Sequence, residues 1–293
     1  MKNYMDTEYQ KLIDRFVLEN DLVYLSEGWD RVVYTQKDRE FVFRVSKNKD
    51  SQDAIYKEQE NLKKIQSQLP SIQILMPEII TFKSLVVSEY PFVKGRRFDE
   101  IIDPQQRGRV LSKLCIFINE LHSIKPRADI DLDHRDYLKE TTKCHKAIQE
   151  QIFTKLNQKQ REYVDELFGS LPEEDDQRSM KMSLLHTDIA FEHAYYDTTA
   201  DILTIIDWSD MSYGDTAYEF HHLLRELSKD ERAFVREHSN EAGNDLFWQR
   251  AWFYRYVNIF DLLLHAHHLQ SKEKWTDAIQ RLNKEMDDNM SQS

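Results

Sequence analysis

The chain is poor in cysteine, proline and glycine. It has 2 cysteines, 6 prolines and 6 glycines in 293 residues. Two cysteines, Cys115 and Cys144, are too few for a disulfide framework in a chain of this length, and neither has a second cysteine nearby at metal-binding spacing. No proline follows Pro172, so nothing beyond that position forbids long helices. We therefore expect a largely helical C-terminal region.

Long apolar runs and clustered positive charge are also scarce. No run of about 18 apolar residues occurs, and the polar segment from Met1 to Glu8 has no apolar signal core. The sequence therefore predicts no membrane association, and a cytoplasmic location follows by default. The net charge of −12 disfavours a nucleic-acid partner, because binding phosphates needs clustered Lys and Arg. It is compatible with a cationic partner, and simple solubility explains it equally well.

The order of apolar runs predicts two lobes, since 293 residues are many for a single core. The first hundred residues contain strand-like runs around one helix. The predicted strands are 21–25, 31–35, 40–45, 78–82 and 85–90, and the helix is 51–69. Further helices are predicted at 104–121, 137–153 and 158–168, a polar loop at 172–178, a strand at 202–206 and a helical pattern from 216 onward. Pro91 and Gly95 mark a lobe boundary.

Two aspartates stand in apolar surroundings. Asp188 follows the segment Leu184-Leu185-His186-Thr187, and Asp207 ends the apolar strand 202–206. A buried, unpaired carboxylate is costly, so a carboxylate at the end of an apolar strand has a cationic partner or a function. Two acids on adjacent loops can converge on one metal–phosphate site, where one orients a hydroxyl nucleophile and the other holds Mg²⁺. The pattern therefore predicts phosphoryl transfer.

The motifs around these aspartates resemble the aminoglycoside phosphotransferase and choline kinase superfamily. The family has His-Gly-Asp, an Asn five residues after the Asp and a strand that ends in Asp. This chain has His186-Thr187-Asp188, His193 and Asp207. The segment Gly214-Asp215-Thr216-Ala217-Tyr218-Glu219-Phe220 is similar to the family's Gly-Asp-Pro-Ala-x-Asp-Phe, and 93–95 and 117–122 also match. Together these motifs span residues 20 to 230.

The resemblance implies an α+β, protein-kinase-like two-lobe fold. A small antiparallel-sheet N-terminal lobe with one main helix would bind the nucleotide and span 1–90. A hinge at 91–97 would lead to a larger, mostly helical C-terminal lobe at 98–293, which would carry the catalytic loop and the substrate site.

The resemblance also implies a role for each matching residue. Asp188 would be the catalytic base, and Asp207 with His193 would hold Mg²⁺. The phosphate donor would be ATP or GTP. The nucleotide-binding residues would be Gly28 in the covering turn 26–30, Arg44 on a strand, its helix partner Glu58, and the backbone of Ser88 and Tyr90. Val87 is small and would leave room for either purine. The histidine of the catalytic segment, His186, would be structural.

Three positions depart from the family pattern. Thr187 replaces a glycine, Arg44 replaces a lysine and His193 replaces an asparagine. Arginine can grip two phosphate oxygens at once, and Lys47 is the alternative phosphate ligand. Imidazole suits Mg²⁺ less well than an amide oxygen does. Histidine occurs at this position in the 2″-type aminoglycoside phosphotransferases, so the pattern is nearest to that branch.

The acceptor substrate is less constrained, because the fold serves aminoglycosides, macrolides, choline, homoserine and sugars. Acidic residues are frequent after Asp207, and carboxylates bind polyamine sugars through charge-assisted hydrogen bonds. We therefore predict an aminoglycoside-like, cationic and hydroxylated substrate and a role in antibiotic resistance. Glu226 and Asp230 are the predicted substrate contacts.

Other interpretations stay open. The chain could be a kinase of another metabolite or of a macrolide. The departures at 44, 187 and 193 favour a pseudokinase-like nucleotide-binding protein, whereas the presence of both Asp188 and Asp207 argues against one. A metal hydrolase built on the C-terminal histidines is a third class. His265 and His268 have helical spacing, but no glutamate-bearing zinc motif surrounds them.

Overall fold

The computed structural model describes residues 7–28, 31–48, 52–170 and 180–290. Its contacts divide the chain into two compact units. We call Asn3–Leu132 with Ala190–Met211 the sheet unit, and Asp133–Ile189 with Ser212–Ser293 the helical unit. This grouping differs from the lobes expected from the sequence, whose boundary at 91–97 stays a prediction.

The strands fall into two stretches of the chain, 23–97 and 182–215. They are β1 (Val23–Glu27), β2 (Arg31–Thr35), β3 (Phe41–Ser46), β4 (Gln73–Ile74), β5 (Glu78–Phe82), β6 (Leu85–Pro91), β7 (Arg96–Arg97), β8 (Met182–Leu185), β9 (Ala194–Asp197), β10 (Ile202–Ile205) and β11 (Ser212–Asp215). The helices are α1 (Thr7–Glu19), α2 (Asp53–Ile65), α3 (Pro104–Leu121), α4 (Tyr137–Gln151), α5 (Gln158–Gly169), α6 (His221–Glu226), α7 (Lys229–His238), α8 (Asp245–Val257), α9 (Ile259–His268) and α10 (Lys272–Met290).

A five-stranded antiparallel sheet forms the centre of the sheet unit, in the order β1-β2-β3-β6-β5. Its core side chains include Val45 and Val87, which lie on β3 and β6 and pack with Ile13 and Phe16 of α1. Only one helix was expected in this region, and that prediction was wrong. The spacing of Tyr9, Ile13 and Phe16 is the helical signal in the sequence.

Two helices of the sheet unit follow the predicted pattern. α2 buries Ile55, Leu62 and Ile65. It is shorter than the predicted 51–69, because a 3-10 turn at Gln66–Gln68 continues from its end; Ser51 lies outside the described residues. α3 has the predicted bounds. Its N-cap Asp103 accepts a hydrogen bond from the backbone N–H of Gln106 at 2.8 Å, which satisfies one of the exposed donors of the first turn.

A second, four-stranded sheet of the sheet unit joins distant parts of the chain, in the order β4-β10-β9-β7. β10 runs parallel to β4, and β9 is antiparallel to β10 and to β7. Gly95, just before β7, has a φ of +97°, and a Cβ there would lie 2.5 Å from the backbone of Tyr196 on β9. Only glycine allows these two segments of the chain to approach so closely.

The helical unit surrounds the antiparallel pair β8–β11 with α4 to α10. Most aromatic side chains of α8 are core residues: Phe247, Trp248, Phe253, Tyr254 and Tyr256 are buried, whereas Trp252 is only partly buried. The loop predicted at 172–178 lies outside the described residues. Of the helices that the structure describes, none combines the length and apolarity needed to cross a membrane. The antiparallel sheet of the N-terminal region and the helical C-terminal region confirm the predicted α+β class.

Candidate active site

Arg44 of β3 bridges two carboxylates of the sheet unit. Its Nη2 donates to Oδ1 of Asp207 at 2.6 Å, and its Nη1 lies 3.6 Å from Oε1 of Glu58. The side chain of Arg44 is 14% exposed. The ion pair expected between Arg44 and Glu58 is therefore present, but the shorter contact of Arg44 is with Asp207.

Glu58 of α2 is buried and has two closer partners. Arg31 Nη1 donates to its Oε2 at 2.8 Å, and the Tyr90 hydroxyl donates to its Oε1 at 2.8 Å. A carboxylate as buried as this one needs such partners, because burial without them is costly. Arg31 was not predicted as a site residue. The signal in the sequence was an arginine at the start of an apolar strand, β2. This strand pairs with β3, and Val33 of β2 lies directly opposite Arg44.

Asp207 is held in a strained turn directly after β10. Its φ is +65°, a region that non-glycine residues rarely adopt. Trp208 stabilises the turn, since its Nε1 donates to the backbone oxygen of Ile205 at 2.9 Å and its ring packs edge-on against Phe117 of α3. The Ser209 hydroxyl donates to Asp207 Oδ1 at 2.9 Å.

The charges around Asp207 keep it ionised. Burial by itself would raise the pKa of this carboxyl, but the positive charge of Arg44 and then the neighbouring His193 outweigh burial. The pKa of Asp207 is therefore lowered well below its usual range. An ionised carboxylate is the form that can bind a cation.

The donors next to Asp207 can be tested for a fit to Mg²⁺. Oδ2 of Asp207 accepts no hydrogen bond from the described residues, and it faces His193, whose Nε2 lies 4.0 Å away. Two ligands of one Mg²⁺, each about 2.1 Å from the ion, are at most about 4.2 Å apart, so a single ion could bind both atoms. No group of three or more His, Cys, Asp or Glu side chains suited to a metal occurs among the described residues. The set thus fits Mg²⁺ if phosphate oxygens and water complete the shell, which is how this ion is commonly bound.

These polar groups lie at a cavity of about 330 Å³ in the sheet unit. Arg44, Glu58, Tyr90, His193 and Asp207 all line it. Its other walls are largely apolar and include Leu25, Val33, Val42, Leu75, Ile205 and Ile206. Apolar walls with a few convergent polar groups are typical of small-molecule sites, and this combination suits a flat base joined to a charged phosphate chain.

Gly28 and Ser88 are not among the described residues that line this cavity. Ser88 lies in β6 between two strands, opposite Arg44 of β3 and Ile79 of β5. Its backbone therefore lies inside the sheet, where ladder pairing uses the backbone groups, and the expected contact with a purine does not fit this position. Tyr90 does line the cavity, but the observed contact is that of its hydroxyl with Glu58.

The covering turn is tied to the neighbouring strands. The Gly28 N–H donates to the backbone oxygen of Arg31 at 2.9 Å, and Lys47 Nζ donates to the backbone oxygen of Gly28 at 2.6 Å. Lys47, the alternative phosphate ligand, therefore holds the turn. Trp29 and Asp30 of the predicted turn lie outside the described residues.

The loop that carries Asp188 lies in the helical unit and is also strained. Thr187 has a φ of +72°. The fully buried carboxylate of Glu219 accepts the backbone N–H groups of His186 at 2.8 Å and Thr187 at 2.9 Å. The Asp188 N–H donates to Nδ1 of His186 at 3.3 Å, so His186 supports the loop. Glu219 thus holds the backbone of the loop that contains Asp188.

Asp188 itself remains accessible. Its side chain is 32% exposed, and its Oδ1 lies 3.3 Å from Nε2 of His222 on α6. Hydrogen bonds hold the loop backbone, while the carboxylate stays partly exposed. Such an arrangement is suited to a general base, which must be positioned within hydrogen-bond reach of the proton it accepts.

The acid-rich segment after Asp207 is only partly at the surface. Asp215 is buried and accepts hydrogen bonds from Arg250 and Tyr254, and Glu219 faces inward as described. These two acids therefore give no support to a cationic substrate. Glu226 and Asp230 are exposed. Asp230 lies in the first turn of α7, where a negative charge also stabilises the helix.

Comparisons with known proteins identify a matching family and several structural relatives. The sequence profile of APH, the phosphotransferase enzyme family, matches residues 21–253. The structure is similar to the GDP complex of wild-type aminoglycoside 2'-phosphotransferase-IIIa, with a TM-score of 0.83, 18% identity and coverage of 96% of this chain and 98% of that chain. It is also similar to the GDP and kanamycin complex of an APH(2″) enzyme, with a TM-score of 0.81, 18% identity and coverage of 97% and 100%.

A macrolide 2'-phosphotransferase from Brachybacterium faecium is a further structural relative. Its TM-score is 0.66 at 15% identity, with coverage of 94% of this chain and 98% of that chain. A search of the curated proteins found no match. At these identities the structural likeness shows the fold, and it confirms the protein-kinase-like architecture that the motifs predicted.

Proposed function

The chain belongs to the phosphotransferase enzyme family, and we propose that it transfers the γ-phosphate of ATP or GTP to a hydroxyl group of an aminoglycoside-like small molecule. The membership makes it a nucleotide-dependent kinase that acts on hydroxyl groups. The observation that carries the proposal is the cavity of the sheet unit, whose lining combines Arg44, Glu58 and Asp207 with largely apolar side chains.

Arg44 is the proposed phosphate ligand. Its guanidinium is fixed between Asp207 and Glu58, so little rotational freedom is lost when it binds an anion. Arg31 pairs with the second oxygen of Glu58. Glu58 therefore depends less on Arg44 for charge neutralisation, and Arg44 can bind an anion. Asp207 and His193 would hold Mg²⁺, which would supply charge neutralisation between the phosphates of the donor.

Asp188 is the proposed general base. The acceptor hydroxyl oxygen would attack the γ-phosphorus while its proton passes to the Asp188 carboxylate. The bond between that phosphorus and the β–γ bridging oxygen breaks, and the nucleoside diphosphate leaves with the electron pair. Glu219 contributes by fixing the loop backbone through His186 and Thr187, because catalysis of this reaction depends mainly on positioning and electrostatics.

The proposed acceptor is cationic and hydroxylated. The net charge of −12 attracts cations over a distance, and a structural relative was solved with kanamycin bound. The exposed carboxylates of Glu226 and Asp230 are the proposed contacts to amino groups of the substrate. The proposed biological outcome is resistance to the modified compound.

A coupled assay of nucleoside diphosphate release tests the proposal. Purified protein would receive ATP or GTP with Mg²⁺ and, one at a time, aminoglycosides, macrolides, choline and amino sugars. We expect release to be stimulated by aminoglycosides. Asp188→Asn keeps the shape of the side chain and should lower turnover by a factor of about 10² to 10⁴, the range for loss of a general base, while nucleotide affinity changes little.

Each other outcome points to one alternative. Stimulation by macrolides alone would replace the acceptor class, in line with the macrolide-phosphotransferase likeness. Nucleotide binding without stimulation by any compound would favour another metabolite or a pseudokinase-like protein. Full turnover in Asp188→Asn would remove that residue from the mechanism, and absence of nucleotide binding would refute the proposal as a whole.

A further inference from the structure

A recess of about 560 Å³ in the helical unit carries an unusual concentration of positive charge. Its lining includes Lys229, Arg232 and Arg236 of α7, Trp248 and Trp252 of α8, and one carboxylate, Asp288 of α10. The three cations are three and four residues apart, so they share one face of α7. None of the recess residues lines the cavity of the sheet unit. In a chain with a net charge of −12, such a cluster needs an explanation.

Arg232 lacks the partners that a partly buried arginine normally has. Its Nε is buried and donates to no acceptor among the described residues. Its guanidinium lies over the ring of Trp252, 5.3 Å from the centroid. Burial and then the positive charge of Arg255 lower the pKa of Arg232. Nearby acidic groups, Asp288 and Glu285 among them, partly offset this effect, but neither carboxylate forms an ion pair with Arg232 among the described residues.

The carboxylates near the recess are already paired. Arg236 contacts Asp245 at 2.5 Å. The fully buried Arg255 contacts Glu285 at 3.3 Å and Asp288 at 3.2 Å. Among the described residues, Lys229 and Arg232 form no ion pair. Asp288 also lines the recess, but its ion pair is with Arg255. The recess therefore presents two cations, Lys229 and Arg232, that have no ion-pair partner among the described residues.

We propose that this recess binds the phosphate group of a small organic phosphate, with Arg232 and Lys229 as its ligands. A phosphate monoester carries close to two negative charges at neutral pH, which matches the two cations that lack an ion-pair partner. A planar guanidinium can pair with two phosphate oxygens, and an ammonium adds a third contact. The two indole rings form an apolar wall of the recess. The Trp248 Nε1 already donates to the backbone oxygen of Glu241, so this ring acts as a wall.

Calorimetric titration of the full-length protein tests the site. The probes are inorganic phosphate and phenyl phosphate, with phenol as the neutral control. We expect both phosphates to bind and phenol not to bind. Tighter binding of phenyl phosphate than of inorganic phosphate would assign the site to organic phosphates, and equal binding would assign it to free phosphate.

Variants separate the recess from the cavity of the sheet unit. Arg232→Gln removes one charge-assisted contact and should weaken phosphate binding about tenfold or more. Lys159→Gln removes an exposed cation of the same unit that does not line the recess, and it should bind as the wild type does. Arg44→Gln removes the proposed phosphate ligand of the other cavity and should keep the affinity of the recess.

Three results would overturn the inference. They are no phosphate binding at millimolar concentration, equal affinity in wild type and Arg232→Gln, and loss of binding in Arg44→Gln alone. If Arg232→Gln does not fold, the exposed Lys229→Gln takes its place, with the same expected direction and the same contrary result.

Discussion

At the scale of single residues, Thr187 and Asp207 both have a strained backbone conformation, and different contacts stabilise each one. Their φ values are +72° and +65°, and such conformations cost on the order of 1–3 kcal/mol each for residues other than glycine. Glu219 holds Thr187 through the backbone N–H groups of residues 186 and 187. Trp208 and Ser209 hold Asp207. In both cases, side-chain hydrogen bonds hold the strained backbone in place.

Thr187→Gly should therefore stabilise the protein. Relief of about 1–3 kcal/mol of strain exceeds the roughly 0.5–1 kcal/mol that glycine costs through the entropy of the unfolded chain. We expect the free energy of unfolding to rise by about 1 kcal/mol, measured from the midpoint of urea unfolding.

The control is Thr199→Gly, since Thr199 is exposed and its φ is not positive. That variant should be slightly less stable than the wild type. A loss of stability of about 1 kcal/mol or more in Thr187→Gly would show that the threonine backbone is not strained at this position.

Sequence motifs located much of the candidate site, because chemistry-bearing residues sit at fixed positions relative to strands. Arg44, Glu58, His193 and Asp207 were predicted from motif order and lie around one cavity; their roles stay predictions. Arg31 and Glu219 were not identified as supports. The direction of a charged side chain depends on donors and acceptors far away in the sequence, such as the N–H groups 32 and 33 residues before Glu219, and no local pattern encodes them.

At the scale of elements, the boundaries of a helix or strand were predictable where cap or turn residues mark its ends. α3 begins at Pro104, directly after its N-cap Asp103, and β2 and β5 are apolar runs between polar turns, so these boundaries were predicted closely. β4, β7, β8, β9 and β11 were not predicted. They have two to four residues each. All of them pair with strands far away in the sequence, and β9 pairs in addition with its neighbour β10, so the sequence near them carries little signal.

One buried ion pair connects several of these short elements. Asp215 ends β11, caps the 3-10 turn Thr216–Phe220 and receives Nε of Arg250 from α8 at 2.8 Å. Tyr254 also donates to its Oδ2, at 3.1 Å. The 3-10 turn carries Glu219, so the pair indirectly supports the loop of Asp188.

Arg250→Met should be strongly destabilising. It leaves the carboxylate of Asp215 buried without its cation, a change that costs about 3–5 kcal/mol. The matched control is Arg281→Met, which breaks the exposed pair of Arg281 with Asp277 and should cost less than about 1 kcal/mol.

Urea unfolding of both variants provides the comparison. Similar losses of stability in the two variants would contradict the assigned burial. Because Glu219 would lose part of its support, we also expect the turnover of Arg250→Met to fall at temperatures where the variant is still folded.

At the scale of the whole molecule, the polar cavity lies within one compact unit that is assembled from two segments of the chain. A ligand that binds only the folded state stabilises it in proportion to the logarithm of its concentration. Nucleotide binding in this cavity should therefore be measurable as resistance to unfolding, without knowledge of the acceptor substrate.

ATP or GTP with Mg²⁺ should raise the unfolding temperature. At a nucleotide concentration about one hundred times the Kd, the gain is about 2.7 kcal/mol. In Asp207→Ala, we expect the contribution of Mg²⁺ to disappear, because the proposed carboxylate ligand is gone. Glu60→Gln, which changes an exposed carboxylate of the same unit, should behave like the wild type.

Thermal unfolding with and without Mg²⁺ measures both effects. An unchanged Mg²⁺ effect in Asp207→Ala would remove that residue from the metal site. A comparison of the two nucleotides in the wild type would also decide which purine the cavity prefers.

The sheet unit is completed by residues 190–211, which are synthesised well after the rest of that unit. This order has a consequence for folding during biosynthesis. When the first 132 residues have left the ribosome, β4 and β7 still lack β10 and β9, and Arg44 lacks Asp207. At a translation rate of about 5–20 residues per second, several seconds pass before the missing hairpin is made. During that interval the nascent chain exposes unpaired strand edges, so chaperone dependence during translation should be greater than the stability of the finished protein would suggest.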